Sequence, residues 1–140
     1  IPAARIVGKK GKVCGVDVYK EAVDRLREKA KKEGLANLDL TVGVAENTIV
    51  CERCADIVFF GIDLHDFRDA AKVLANAKKM LRSSGSLVDL DWKKEPMGLG
   101  PPAHIRFSEQ EAIMRIEAAG FRIETVKESG PYHYLIIAKP

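Results

Sequence analysis

The chain has 140 residues, of which 46% are hydrophobic and 31% are charged, and its formal net charge is +3. These proportions are typical of a soluble globular domain and exclude a disordered or fibrous protein. No apolar run approaches the ~20 residues that span a bilayer, and the basic residues are not concentrated in one stripe, so we expect neither a membrane nor a nucleic-acid partner.

The N-terminal part of the chain switches between helix-like and strand-like spacing of apolar residues. Residues 1–7 predict the end of a helix, and residues 12–16 predict a short buried strand. Residues 19–33 carry apolar side chains at helical spacing, and Gly34 is placed to end that helix, because glycine enters the left-handed conformation without steric cost. Residues 38–43 then alternate as a second strand.

The middle of the chain repeats this alternation. Residues 55–61 are apolar apart from Asp56, as expected for a strand that is covered on both faces. Residues 67–81 place their apolar side chains on one helical stripe, and the Ser-Ser-Gly sequence at 83–85 predicts a turn into a strand at 86–92. The polar residues 93–107, rich in Pro and Gly, predict a loop.

The C-terminal part predicts a helix followed by a hairpin. Ser108 is a suitable N-cap with Glu111 three residues later, which opens a helix to Ala119. Residues 121–128 and 132–139 predict two strands joined by a three-residue link. Because a parallel crossover needs a dozen or more residues, these two strands must be antiparallel.

This order of elements predicts an α/β fold: a Rossmann-like, mostly parallel sheet with helices on both faces and a C-terminal antiparallel hairpin. No internal repeat or boundary is visible, so residues 1–140 are expected to form a single domain. Ligands of such sheets bind outside the carboxyl ends of the strands, so the segments that follow the strands are the candidates for a site.

Three stretches carry a resemblance to a known family. They are Val16-Asp17-Val18, the run from Lys72 to Trp92, and Glu117 to Phe121 leading into the hairpin. Together with the order of elements, they resemble the class I S-adenosylmethionine-dependent methyltransferases, and more narrowly the small-molecule enzymes related to ubiquinone and menaquinone C-methyltransferases. The resemblance implies S-adenosylmethionine as the cofactor and a small-molecule acceptor for its methyl group.

Asp17 is the most informative single residue. A carboxylate at the carboxyl end of a parallel strand can accept hydrogen bonds from both ribose hydroxyls of an adenosine cofactor. The alternative is that Asp17 only caps the helix that begins near Tyr19. The resemblance further implies that Val18 or Tyr19 lies along the edge of the adenine.

The second candidate segment follows the strand at 38–43. The resemblance implies that backbone groups of Val44 and Ala45 contact the adenine. Relatives often carry an acidic residue where Val44 stands, so polar recognition of the adenine amino group departs from the family pattern here. Glu46 either compensates for this difference or is simply solvated, and the sequence leaves both interpretations open.

The third candidate segment follows the strand at 55–61. The resemblance implies that Gly61 and Ile62 lie along the cofactor, with Gly61 allowing close approach of the backbone to its sulfonium end. His65 is a weak candidate for a general base, because imidazole suits proton transfer near neutral pH. The alternatives are that His65 packs over the cofactor or caps the following helix.

The remaining aromatic and histidine residues give weaker indications. Trp92, at the end of its strand, is a candidate for lining the acceptor pocket or for the core. His104 lies in the loop at 93–107, which could cover the substrate. Tyr132, His133 and Tyr134 are most simply alternating residues of one strand, with His133 opposite its neighbours.

Cysteine use favours a cytoplasmic protein without a metal site. The odd number of cysteines argues against a secreted disulfide framework. Cys51 and Cys54 form a lone pair, whereas a zinc site needs four ligands, so we predict no metal. The pair is either incidental or a disulfide of the kind seen in some thermophiles. A single Gln beside abundant Lys and Glu is also typical of a thermophilic source.

The resemblance also implies a part that this sequence lacks. Class I methyltransferases bind the methionine half of the cofactor with a glycine-rich loop after the first strand. Gly8 and Gly11 do not form that loop, because they follow rather than precede a helix. Residues 1–4 resemble the middle of the helix that comes after the loop. We therefore expect the first strand and the loop to be encoded upstream, within about 30–40 further residues.

Two other functions stay open. A degenerate or truncated domain of this family could act as a non-enzymatic binding or assembly module, which Val44 and the missing loop favour. An NAD(P)-dependent oxidoreductase also uses an acidic residue after its second strand, although the terminal antiparallel hairpin argues against it. Self-association into a homo-oligomer is left open as well.

Overall fold

The computed structural model describes all 140 residues of the chain. Its helices are α1 (Pro2–Val7), α2 (Lys20–Lys32), α3 (Ala70–Met80) and α4 (Glu109–Ala118). Its strands are β1 (Val13–Asp17), β2 (Leu38–Val42), β3 (Ala55–Gly61), β4 (Leu81–Trp92), β5 (Arg122–Ser129) and β6 (His133–Lys139). Short 3₁₀ turns follow β2 and β3, at Ala45–Asn47 and Leu64–Asp66. Contacts within the chain divide it into two compact units, residues 1–50 and 51–140.

The first unit is built on a two-stranded parallel sheet. β1 and β2 are paired along their whole length, and Asp17 lies opposite Val42 at the end of the ladder. The connection through α2 is the helical crossover that a parallel pair requires. Val23 and Ala30 are buried on α2. The register brings the carboxyl ends of β1 and β2 to the same edge, as the predicted strand–helix–strand alternation requires.

The second unit is built on a four-stranded mixed sheet in the order β3-β4-β6-β5. β3 and β4 run parallel, whereas β6 is antiparallel to both β4 and β5. The hairpin between β5 and β6 turns at Gly130, whose φ of +68° is in the left-handed region. The predicted antiparallel hairpin is thus confirmed, and its reversed strand lies one position from the edge of the sheet.

The core of the second unit lies on one face of this sheet. Alternate side chains of β4 and β6 are buried there, namely Leu87, Asp89, Asp91, Tyr134, Ile136 and Ala138. α3 and α4 contact each other and the two strands, and their buried residues include Val73, Leu74, Ala77, Ala112 and Ile116. Two carboxylates therefore lie within a mostly apolar, helix-covered layer.

The helices of this unit begin at side-chain caps. Asp69 accepts a hydrogen bond from the Lys72 N–H at 2.9 Å and opens α3. Ser108 accepts a hydrogen bond from the Glu111 N–H at 3.1 Å and opens α4, so the predicted N-cap at Ser108 is confirmed. Each cap satisfies an N–H group that has no partner within its helix. The predicted start of the α3 helix at Phe67 was wrong by three residues, because the cap at Asp69 sets the start.

The turn predicted at residues 83–85 was also wrong as a strand boundary. β4 already begins at Leu81, which pairs with Ala55, and the next pair joins Ser86 to Ile57. The extra residues of β4 between these pairs bulge out of the ladder, so the Ser-Ser-Gly sequence interrupts the register without ending the strand. Glycine fits at position 85 because a Cβ atom there would lie 2.9 Å from the Ala55 carbonyl oxygen.

A buried arginine organises the loop between β4 and α4. The Arg106 guanidinium donates hydrogen bonds to the backbone carbonyls of Pro101 (2.7 Å), Lys93 (3.0 Å), Glu95 (3.3 Å) and Leu99 (2.7 Å). It also lies 5.4 Å from the centre of the Trp92 ring, within cation–π distance. The predicted loop is therefore held in one shape by a side chain within it. None of the helices combines the length and apolar character needed to cross a membrane.

Candidate functional site

The first candidate segment lies at the carboxyl end of β1. Asp17 is exposed there, and its Oδ1 atom accepts a hydrogen bond from the Tyr19 N–H at 2.8 Å. Its backbone carbonyl accepts from the Gly43 N–H at 3.0 Å, which holds the segment after β2 beside it. The Oδ2 atom makes no hydrogen bond within the chain. Tyr19 is the N-cap residue of α2, and the helix has no side-chain cap, so Asp17 forms a turn before the helix and does not cap it. Its other oxygen is left for a ligand.

Exposed apolar side chains surround the ends of β1 and β2. Val18, Tyr19 and Val44 expose 53%, 69% and 45% of their surface. The Val44 carbonyl accepts from Thr48 Oγ1 at 2.8 Å and from the Asn47 N–H at 2.9 Å, so both of its lone pairs are used. Any polar recognition by the Val44 backbone must come from its N–H. Ala45 begins the 3₁₀ turn that follows.

In the second unit, the segment after β3 has a strained backbone. Gly61 pairs with Leu90, and the Ile62 N–H continues the ladder by donating to the Leu90 carbonyl at 2.7 Å. Ile62 has a φ of +69°, in the left-handed region that β-branched residues rarely adopt. A Cβ atom on Gly61 would lie 2.8 Å from the Phe59 ring, so a larger residue would require that exposed ring to shift. Neither feature could be inferred from periodicity.

His65 lies inside the second unit. Its side chain is only 1% exposed, and its Nδ1 atom lies 2.8 Å from Oδ2 of Asp91, which is equally buried. The other oxygen of Asp91 accepts from the Trp92 N–H at 2.7 Å. The Nε2 atom of His65 lies 3.3 Å from Asp66. Because a carboxylate oxygen only accepts, the Nδ1 atom must be the protonated one, and it donates to Asp91.

Two further carboxylates near this pair have shifted acidities. Burial, together with the nearby charges of Asp91 and Asp63, raises the pKa of Asp89 to about 8. Burial also raises the pKa of Asp63 to about 6, with Asp91 again contributing. Neither oxygen of Asp89 has a hydrogen-bond partner. A charged Asp89 is therefore costly, and the protonated form is favoured at neutral pH.

Asp63, Asp89 and Asp91 were not predicted as site residues from the sequence. The available signal was the alternation of Asp with apolar residues at the end of β4, from Leu87 to Trp92. In a strand with one covered face, that alternation places both carboxylates on the same side, and the apolar partners predict a buried one. The partner of Asp91 could not be inferred in this way, because His65 is 26 residues away.

Trp92, the candidate for lining an acceptor pocket, packs against neighbouring residues. The Trp92 and His133 rings lie 4.2 Å apart, and a Cβ atom on Gly100 would touch the Trp92 ring at 2.7 Å. His104 is exposed in the loop after β4. Cys51 and Cys54 are joined in a disulfide, one of the two alternatives that the sequence left open. No group of three His, Cys, Asp or Glu side chains is arranged to hold a metal ion.

Comparison with known proteins decides the family. A family model described as a methyltransferase domain matches residues 1–126. The chain belongs to this methyltransferase family. A solved SAM-dependent methyltransferase from Aquifex aeolicus is 32% identical to this chain. The two structures align with a TM-score of 0.91, over 96% of this chain and 72% of the Aquifex protein. The predicted membership of the class I methyltransferases and the Rossmann-like α/β fold are confirmed.

Two other similarities limit how much of a relative's function can be carried over to this chain. The demethylmenaquinone methyltransferase of Geobacillus sp. (strain WCH70) is 31% identical over 91 residues, which are 65% of this chain and 39% of that relative. The chain therefore spans well under half the length of this curated relative. The cyclase SpnF is 14% identical, with a TM-score of 0.82 over 99% of this chain and 70% of its own. It shares the fold alone, so the fold does not by itself fix the reaction.

Proposed function

We propose that this chain transfers a methyl group from S-adenosylmethionine to a small-molecule acceptor. The observation that carries the proposal is the Asp17 carboxylate at the carboxyl end of a parallel strand, with Oδ2 without a partner. This is the position at which nucleotide-binding α/β sheets hold the ribose of an adenosine cofactor. The match to the methyltransferase family distinguishes this cofactor from a nicotinamide dinucleotide.

The residues at the end of β1 and β2 fit an adenosine. Its ribose offers two hydroxyl donors, and each carboxylate oxygen of Asp17 can accept more than one hydrogen bond. The exposed side chains of Val18, Tyr19 and Val44 offer apolar surface to a purine. The Val44 N–H can donate to a ring nitrogen of adenine, whereas its carbonyl is already used and cannot accept from the amino group.

When bound, S-adenosylmethionine supplies an electrophilic methyl group on a sulfonium centre. The chain contributes binding and alignment, and correct positioning of two reactants can supply much of the acceleration. Asp17 would hold the adenosine end, and Gly61 and Ile62 would lie along the cofactor. The burial of His65 and its bond to Asp91 favour a packing role over that of a general base.

A small-molecule acceptor is supported by composition and by similarity. The net charge of +3 is spread along the sequence, and no concentrated basic stripe offers a surface for nucleic acid. The relative from Geobacillus is named for the methylation of demethylmenaquinone.

The proposal is tested by equilibrium titration calorimetry of the chain with S-adenosylhomocysteine and, separately, with NAD⁺. We expect saturable heat with S-adenosylhomocysteine and none with NAD⁺ at the same concentration. Heat with NAD⁺ alone would point instead to an oxidoreductase. The absence of heat with either ligand would support a non-enzymatic binding or assembly module.

A further inference from the structure

The segment that follows β3, residues 61–66, combines a strained backbone with two attachments to the end of β4; we call it the β3 loop. Ile62 lies in the left-handed region at φ +69°. A β-branched side chain is unfavourable there, and such a conformation persists only when its surroundings enforce it. Something in the second unit must therefore hold the loop in place.

The two attachments reach adjacent residues of β4. The first is the hydrogen bond from the Ile62 N–H to the Leu90 carbonyl at 2.7 Å. The second is the bond of 2.8 Å between His65 and Asp91, whose side chains are each only 1% exposed. The β3 loop is thus fixed on both sides of Asp63. Water competes little with buried hydrogen bonds of this kind.

We propose that Asp91 is a positioning residue that acts through His65. The buried pair holds the β3 loop against the end of β4 and keeps Ile62 in its left-handed conformation. This inference rests on the proposed function, because it is Gly61 and Ile62 that would lie along the cofactor. It extends the proposed function, because it makes the shape of this part of the site depend on His65 and Asp91, two side chains that do not themselves touch the ligand.

A carboxylate suits this task better than an amide. Oδ1 of Asp91 accepts from the Trp92 N–H at 2.7 Å, which fixes the carboxylate, and Oδ2 then faces His65. Both oxygens only accept, so the imidazole must carry a proton on Nδ1 to bond with Asp91. On its other side, His65 meets the exposed Asp66 at 3.3 Å. An asparagine would keep the shape but lose one of the two hydrogen bonds that Asp91 accepts, because its NH₂ group donates where a carboxylate oxygen accepted, and it also removes the charge.

The test uses Asp91→Asn, Ile62→Gly and the double variant. Glycine adopts the left-handed conformation without cost, so Ile62→Gly removes the strain that the pair must restrain. We expect Asp91→Asn alone to weaken S-adenosylhomocysteine binding about tenfold, the scale of a hydrogen bond to a charged group. In the Ile62→Gly background, the same change should weaken binding by no more than about twofold.

Asp89→Asn is the matched control, because Asp89 is buried on the same face of β4 and makes no hydrogen bond. It should leave the affinity unchanged. The ring ¹⁵N chemical shifts of His65 should report the Nδ1–H form in the wild-type chain and a mixture of tautomers in Asp91→Asn. An unchanged affinity in Asp91→Asn, or an equal loss in both backgrounds, would overturn the inference.

Two further results keep the inference separate from the proposed function. If the wild-type chain binds no S-adenosylhomocysteine, the proposed function fails. Urea unfolding of the wild type, the two single variants Asp91→Asn and Ile62→Gly, and their double variant then tests whether the buried pair holds the loop. If the changes in the free energy of unfolding caused by Asp91→Asn and Ile62→Gly are not additive, the inference is supported, and additive changes contradict it. If Asp91→Asn does not fold, recovery of the fold in the double variant supports the inference, and continued unfolding contradicts it.

Discussion

Among single residues, Asp17 connects the sequence most directly to the chemistry. We expect Asp17→Ala to weaken binding of S-adenosylhomocysteine by about 1.5–3 kcal/mol, because it removes hydrogen bonds between the ribose hydroxyls and a charged group. This corresponds to a loss of roughly 10- to 100-fold in affinity, measured by titration calorimetry. The loss should be selective, since Asp17 is exposed and its carboxylate makes only one hydrogen bond within the chain, to the Tyr19 N–H.

The matched control for this prediction is Asp39→Ala. Asp39 lies on β2 in the same unit, and its carboxylate pairs with Lys12 at 3.0 Å, away from the carboxyl ends of the strands. Its removal should leave the affinity within about twofold of wild type, because exposed ion pairs contribute little. Equal affinities of the Asp17 and Asp39 variants would remove Asp17 from the cofactor site.

Asp89 makes the stability of the chain depend on pH. Its pKa is raised from the ordinary 3.8 to about 8 by burial, so the folded state holds a proton that the unfolded state releases. Between about pH 4 and pH 8, the contribution of Asp89 to the free energy of unfolding should fall as pH rises, by on the order of 1 kcal/mol per pH unit. This is the opposite of the behaviour of a salt-bridged carboxylate.

Asp89→Asn isolates this effect, because asparagine stays neutral at every pH. The variant and the wild type should have similar stability near pH 4, and the variant should become progressively more stable than the wild type towards pH 8. Urea unfolding at several pH values measures the difference. Parallel stability profiles for the two proteins would show that Asp89 is not kept protonated by its surroundings.

The residues differ in how far they could be predicted from sequence. Asp17 could be identified because its position depends only on the strand that it ends and on the helix that follows. The pairing of His65 with Asp91 depends on how β3 and β4 align, and that register is set by contacts distant in sequence. The left-handed conformation of Ile62 follows from the same contacts and contradicts local preference.

At the level of elements, the loop between β4 and α4 depends on Arg106. Its guanidinium is buried and donates to four backbone carbonyls of this loop. A lysine cannot reproduce that planar arrangement of donors, so Arg106→Lys should lower the free energy of unfolding by about 3 kcal/mol. Urea unfolding measures this value, and hydrogen exchange should show faster exchange within residues 93–107.

Arg122→Lys provides the comparison, since Arg122 is exposed at the start of β5. Exposed substitutions of this kind usually change stability by less than about 0.5 kcal/mol. If Arg106→Lys is no more destabilising than Arg122→Lys, the loop does not depend on the guanidinium, and its shape must come from packing against Trp92.

The elements with local signals were predicted well. The cap at Ser108 and the short link before β6 depend on neighbouring residues, and both were confirmed. The start of β4 was predicted too late in the chain. Leu81 pairs with Ala55, but a register shift separates this pair from the rest of the ladder, and the Ser-Ser-Gly sequence at the shift looks like a turn. Local sequence thus indicates where a chain bends, but the partner strand decides whether pairing continues.

For the whole molecule, the alternation of helices and strands was enough to predict the fold class, and the resemblance of three stretches together with that order predicted the family. The division into two compact units could not be predicted from the sequence, because no Pro- or Gly-rich stretch lies at the boundary near residue 50. The expectation of a single domain stays a prediction. The acceptor could not be read from the sequence, because it depends on side chains brought together by several loops.

The most direct measurement is a crystal structure of the chain grown with S-adenosylhomocysteine. We predict that the ribose hydroxyls of the ligand lie within hydrogen-bond distance of the Asp17 carboxylate, with the adenine beside Val18 and Val44. A nucleoside bound elsewhere while Asp17 stays solvated would contradict the assignment of this site. Binding of NAD⁺ under conditions in which S-adenosylhomocysteine does not bind would contradict methyl transfer itself.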